Sequence, residues 1–146
     1  MSSELKQRIQ SDLNAARKAR DKVRTLVLST ALSEVRNREI DLGAAVDDEG
    51  VVEVLSRAIK QRKDASEQMR AAGRDELADR EDEQATVLTE YLPAQMSEEE
   101  VRAAVRDLIG SGVDQMGPLM GRLMPLVRGR FDGKEANRIV REELAG

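Results

Sequence analysis

The sequence has no cysteine, no histidine and no tryptophan, and its only aromatics are Tyr91 and Phe131. Each absence removes a class of chemistry. Without cysteine there is no disulfide framework and no thiolate nucleophile, and nothing points to an oxidising compartment. Without histidine the usual general base at neutral pH and the commonest metal ligand are both missing. With so few aromatics the core must come from Leu, Val, Ile, Met and Ala, which favours helices over sandwiches or barrels. Long apolar runs are missing too. No stretch approaches the roughly 18 residues of a membrane span, and the charged, amphipathic opening MSSELKQRIQSDL lacks the apolar segment of a secretory leader. The expectation is a soluble, cytoplasmic protein with no membrane partner.

What is present is charge and aliphatic bulk. Hydrophobic residues make up 40% of the 146 positions, enough for a core in one domain or two small ones. A net charge of −4 argues against a general nucleic-acid coat protein, but the charge is unevenly spread. Residues 17–38 hold seven cations against two acids, and residues 122–141 hold six against two. The acids gather in 75–83 and 98–100. The chain is bipolar.

Apolar residues recur at three- and four-residue steps. Leu5, Ile9, Leu13 and Ala16 predict a helix over 3–18, and Leu28, Ala31, Leu32 and Val35 a second over 21–42, closed by Gly43. The acids Asp47, Asp48 and Glu49 lead into a third helix built on Val51, Val52, Leu55, Ala58, Ile59 and Met69, ended by Gly73. A fourth is expected over 75–91. Pro93 disfavours helical geometry at Leu92 and marks a boundary. Beyond a short linker, Ser97-Glu98-Glu99-Glu100 is a capping box that starts a fifth helix, stopped at Gly110-Ser111-Gly112. No strand-period segment or repeat is found. The fold class is all-α: an N-terminal bundle of long helices over 1–93, then a small three-helix tail domain over 94–146.

In the tail, Asp114 is placed to cap a sixth helix running to about Val127, with Met116, Leu119, Met120, Leu123, Met124 and Val127 along one side. Pro125, four residues after Gly121, predicts a bend or an early end. Asp132 caps the last helix, whose Ala136, Ile139, Val140 and Leu144 share a face. Lys134, Arg138 and Arg141 fall in a stripe on the opposite side. A helix N-terminus, glycines on both sides of Asp132 and a row of cations make a phosphate site. The same pattern also describes an ordinary solvated face, and spacing does not separate the two.

Several separated motifs carry a resemblance. They are Lys60-Gln61-Arg62-Lys63-Asp64, Gly73-Arg74, Glu90-Tyr91-Leu92-Pro93, Met116-Gly117, Met120-Gly121, Met124-Pro125 and Asp132-Gly133-Lys134, in that order. Over essentially its full length the chain resembles the YqeY-like proteins of the GatB/YqeY family. The resemblance implies an all-helical N-terminal domain with a helical tail. It also implies kinship with the C-terminal region of the GatB component of the aspartyl/glutamyl-tRNA amidotransferase. In that enzyme the tail recognises tRNA, and amide transfer occurs in other domains and components. A carbon–nitrogen ligase label, with glutamine as amide donor, is therefore expected by association only.

No catalytic constellation accompanies it. Asp79-Arg80-Glu81-Asp82-Glu83 occupies consecutive helical positions that point apart, and reads as a solvated face. Gly110-Ser111-Gly112 lacks the nucleophile-elbow spacing, and Asp47-Asp48-Glu49-Gly50 is not completed as a calcium loop. The expectation is no catalytic residue, no metal and no cofactor. The RNA-facing candidates are Arg122, Arg128, Arg130, Lys134, Arg138 and Arg141. Lys60, Arg62 and Lys63 form a second basic patch, alternatively explained by i,i+4 pairs such as Arg57–Gln61 or Lys60–Asp64. The expected partner is tRNA, read at its folded elbow through phosphates, 2′-hydroxyls and shape, since two aromatics build no stacking platform. The other candidate is a protein of the translation or amidotransferase machinery, met as a helical interaction module for which the methionines would supply a pliable surface.

Overall fold

The computed structural model describes residues 3–146 and is all-helical, with α1 Glu4–Ala19, α2 Lys22–Leu42, α3 Asp48–Ala71, α4 Asp75–Thr89, α5 Glu98–Gly110, α6 Met116–Val127 and α7 Gly133–Ala145. The chain divides into two compact units, Met1–Leu92 and Pro93–Gly146.

In the first unit the caps do what their residue types dictate. The side chains of Ser3, Asp21 and Asp47 each accept a backbone N–H at the starts of α1, α2 and α3. Gly43 ends α2 in the left-handed conformation. Ile9 and Leu13 of α1, Val27, Leu28, Ala31, Leu32 and Val35 of α2, Val51, Leu55, Ala58 and Ile59 of α3, and Ala85 and Leu88 of α4 close around one core with Tyr91. Each large aliphatic buried there contributes about 1.5–3 kcal/mol. α4 stops at Thr89 rather than reaching Tyr91, because Tyr91 and Leu92 donate three residues back, to Leu88 O and Thr89 O, in tight turns before Pro93.

Beyond Ile59 on α3 and before Ala85 on α4 no described residue belongs to that core. The hairpin there is braced by polar groups. Arg70 reaches Asp79 at 2.8 Å and Asp82 at 2.6 Å, and Arg62 bonds Gln84 and lies 3.6 Å from Glu81. The acidic run of α4 is thus more than a solvated face: its acids pair with the cations of α3.

The second unit is a three-helix bundle around Val101 and Val105, Leu119, Leu123 and Val127, and Ala136, Ile139 and Val140. The capping box at α5 is complete: Glu100 N–H donates to Ser97 Oγ at 3.1 Å, and Ser97 N–H to Glu100 Oε1 at 3.2 Å. Two local expectations are corrected. Asp114 does not cap α6; Gln115 holds the N-cap position without a side-chain bond. Of the bend or early end expected at Pro125, the early end does not occur. The proline falls in the last turn, and α6 continues to Val127, with Arg128 N–H reaching Met124 O at 2.9 Å. Met116, Met120 and Met124 are half-buried at the edge of the core rather than inside it.

Candidate nucleic-acid interface

α7 is the element on which the tail cations stand, and its N-terminus already has an anion. The carboxylate of Asp132 accepts Lys134 N–H at 3.3 Å, so the position a phosphate would take is filled by the protein's own acid. Lys134 and Arg141 are exposed, about 10 Å apart along the helix axis. Arg138, between them, is paired with acids. Its guanidinium donates to Glu98, to Glu135 at 2.8 Å and to Glu142 at 2.5 Å, and these three carboxylates hold it firmly in the charged form.

That contact belongs to a network joining α5 and α7. Arg102 donates to Glu142 at 2.8 Å and to Glu143 at 3.3 Å, and Arg106 lies 3.0 Å from Glu143. Arg102, and next Arg138, hold the Glu142 carboxyl below the usual carboxylate range. Arg106, assisted by Arg102, does the same for Glu143. Three arginines face four glutamates, so this surface is no cationic stripe. The sequence hid it because the acids come from two helices joined only by folding.

Arg130 is also committed. Its Nε donates to Ala94 O at 2.8 Å, while its carbonyl accepts Met96 N–H at 2.8 Å and Gln95 Nε2 donates to Gly129 O at 2.9 Å. The 93–96 segment is thereby stapled to the α6–α7 turn. Arg122 and Arg128 lie exposed. Of the six tail candidates, the structure leaves Lys134, Arg141 and Arg122 exposed with no acid bonded to them among the described residues, whereas Arg138 is paired with acids and Arg130 with a backbone carbonyl.

The second basic patch divides in the same way. Arg62 is half-buried against α4, bonded to Gln84, and its Nε is buried without a hydrogen-bond partner among the described residues. Lys60 is exposed, and Lys63 borders a groove with Asp82, Thr86 and Glu90. The pairs Arg57–Gln61 and Lys60–Asp64 do not form among the described residues, and within the patch it is Arg62 that bonds α4.

Glu90-Tyr91-Leu92-Pro93 acquires a physical account. The Tyr91 hydroxyl donates to Asp12 at 2.6 Å and accepts from Arg24 at 3.1 Å. Arg24 also holds Glu90 at 3.0 Å, and the Arg8 guanidinium lies 4.7 Å from the ring centroid. Burial, and then the bond to Asp12, push the Tyr91 hydroxyl's pKa well up. The motif locks the end of α4 onto α1 and α2.

No group of carboxylates among the described residues converges to hold a metal ion. A polar groove of about 320 Å³ between α2 and α3, bordered by Glu34, Arg38, Asp41, Glu53 and Arg57, mixes both signs and contains no base–nucleophile pair. No helix among the described residues is long and apolar enough to cross a membrane.

Curated relatives share part of this chain. A Lachancea thermotolerans protein named "Altered inheritance of mitochondria protein 41, mitochondrial" is 32% identical over 69% of this chain and 56% of its own. Proteins of the same name match from Saccharomyces cerevisiae strain YJM789, at 29% over 58% of this chain and 46% of theirs, and from Clavispora lusitaniae, at 32% over 60% and 53%. The chain spans about half the length of the curated relatives it matches. Their names correct the cytoplasmic placement expected above, since they are mitochondrial proteins. A charged composition without a membrane span is common to soluble proteins of many compartments and does not tell them apart. Neither these names nor the family description carries an enzymatic activity. The family model described as Yqey-like protein matches residues 6–144, and the chain belongs to that family.

Proposed function

We propose that the chain is a non-catalytic accessory protein of tRNA metabolism that contacts folded RNA through its C-terminal unit. The observation that carries this reading is the pair Lys134 and Arg141, exposed on one helix and held by no acid among the described residues, while the arginine between them is paired with glutamates. Cations that the fold does not use remain available to a phosphate backbone. The kinship to the amidotransferase tail supports the choice of tRNA. Amide transfer is not part of the proposal, because no side-chain constellation here would perform it. Tyr91 is buried and Phe131 half-buried, so contact would be to phosphates, 2′-hydroxyls and shape rather than to stacked bases. The reading does not depend on compartment.

A mobility-shift assay with a tRNA transcript at low salt tests it. The wild type should shift the RNA, and binding should fall steeply as salt rises. Lys134→Gln/Arg141→Gln should weaken binding by about tenfold, whereas Arg138→Gln, removing one equal charge, should change it little. Equal losses from all three positions, or no shift of the wild type, would count against the reading. The second reading, a helical protein–protein module, is favoured by Leu126, a large apolar side chain 48% exposed on α6. A missing RNA shift together with a stoichiometric protein complex that Leu126→Glu abolishes would select it.

A further inference from the structure

The turn between α1 and α2 contains two residues in locally costly settings. Arg20 is the one non-glycine with positive φ among the described residues, at φ 58° and ψ 33°. Its N–H bonds Arg17 O at 3.2 Å and the next N–H, of Asp21, bonds Ala16 O at 3.0 Å, a helix ending that glycine makes without strain and a side chain makes at a cost. Lys22 is the first residue of α2, where the free N–H groups carry positive partial charge and an acid is favoured; the first turn of α2 contains none. Arg17 and Lys18 have a folding role, since they lie in the last turn of α1 and complement its dipole. The charge of Arg20 is equally well placed at that helix end, but its left-handed backbone is costly for a side chain, and Lys22 stands where its charge is disfavoured. Local choices of that kind mark positions retained for something other than stability.

The neighbouring charges are already used. Asp21, the single acid in this stretch, caps α2 by accepting Arg24 N–H at 3.0 Å, and Arg24 is held by Glu90 at 3.0 Å. Arg17, Lys18, Arg20 and Lys22 are all exposed, four cations within six residues, with no acid bonded to any of them among the described residues. A net-negative chain thus concentrates unpaired positive charge at one helix turn. We infer that this turn is an RNA phosphate-binding site in the N-terminal unit, built by four cations, of which Arg20 and Lys22 come at the expense of local stability. The inference rests on the reading that folded RNA is the ligand. RNA is favoured over a lipid surface because the adjoining apolar surface is only Val23 and Leu26, with no aromatic, too little for a helix to bed into a bilayer interface.

The test uses the full chain carrying Arg20→Gly/Lys22→Glu, beside Lys134→Gln/Arg141→Gln, with a tRNA transcript as probe. The turn variant should melt higher than the wild type by a few degrees, since Arg20→Gly relieves backbone strain and Lys22→Glu places an acid at the α2 N-terminus. It should nevertheless bind tRNA about tenfold more weakly, with a log–log salt dependence shallower by about two. Higher stability with lower affinity cannot come from misfolding. Unchanged tRNA affinity in the turn variant, while the tail variant loses it, overturns this inference and leaves the RNA reading standing. No tRNA binding by the wild type overturns both. Sedimentation with phosphatidylserine vesicles that the turn variant loses, in the absence of tRNA binding, assigns the turn to lipid headgroups and overturns the inference as well.

Discussion

Tyr91 donates its hydroxyl to Asp12 Oδ2 at 2.6 Å, joining the end of α4 to the middle of α1 across 79 residues of chain. Tyr91→Phe keeps the ring beneath Arg8 and the buried volume, but strips Asp12 of a donor and Arg24 of an acceptor. It should cost about 1–2 kcal/mol, a fall of several degrees in Tm. Urea denaturation followed by circular dichroism reads this directly. A midpoint equal to wild type would show the bond to be dispensable.

The same tyrosine sets an alkaline limit. Its folded pKa is raised, first by burial and then by the bond to Asp12, while the unfolded residue ionises near pH 10. The native state therefore keeps a proton that the unfolded state has lost. Stability from this group is intact below about pH 10 and declines as pH climbs beyond it. Because Tyr91 is the only tyrosine, near-ultraviolet absorbance reports it alone. The folded protein should show tyrosinate only well above the ordinary pKa, and the alkaline slope of stability should flatten in Tyr91→Phe.

Acid acts on the other unit. Glu142 and Glu143 are held below their ordinary pKa, chiefly by Arg102 and Arg106 respectively. Depressed carboxylates stabilise the fold above their unfolded pKa of about 4.3, and that contribution is lost as pH falls through the folded values. The groups are solvent-accessible, so the effect is modest and screened by salt. Calorimetry of Glu142→Gln/Glu143→Gln should show a weaker fall in Tm below about pH 4.5 than the wild type, and the difference should shrink in high salt. Parallel acid profiles would mean the network contributes nothing measurable.

Two glycines of the second unit should respond in opposite directions. A Cβ at Gly121 meets nothing within 4 Å inside α6, so Gly121→Ala should stabilise by about 0.5–1 kcal/mol through a stiffer unfolded chain and better helix propensity. Gly129 has φ 74°, and Gly129→Ala should destabilise by about 1 kcal/mol. Thermal melts of the pair decide the matter. A loss of stability in Gly121→Ala would mean that the glycine is needed opposite Pro125 after all.

Much of the fold is local and therefore legible in the linear chain. The helices follow from aliphatic spacing and from Ser97, Asp21, Asp132 and Gly43 at their ends, because a cap and its helix lie within a few residues of one another. The lack of histidine and cysteine excludes their chemistry from the sequence alone. What tertiary structure alone decided is which charges remain free. Periodicity set Lys134, Arg138 and Arg141 on one face, but only the packing of α5 against α7 brought Glu98 to Arg138. Likewise only the α3–α4 hairpin brought Glu81 to Arg62. The physical reason is that periodicity determines the direction a side chain takes from its helix, whereas its partner depends on which helix lies alongside. Whether a cation is paired within the protein is decided by that neighbour, and the neighbour is set by the fold.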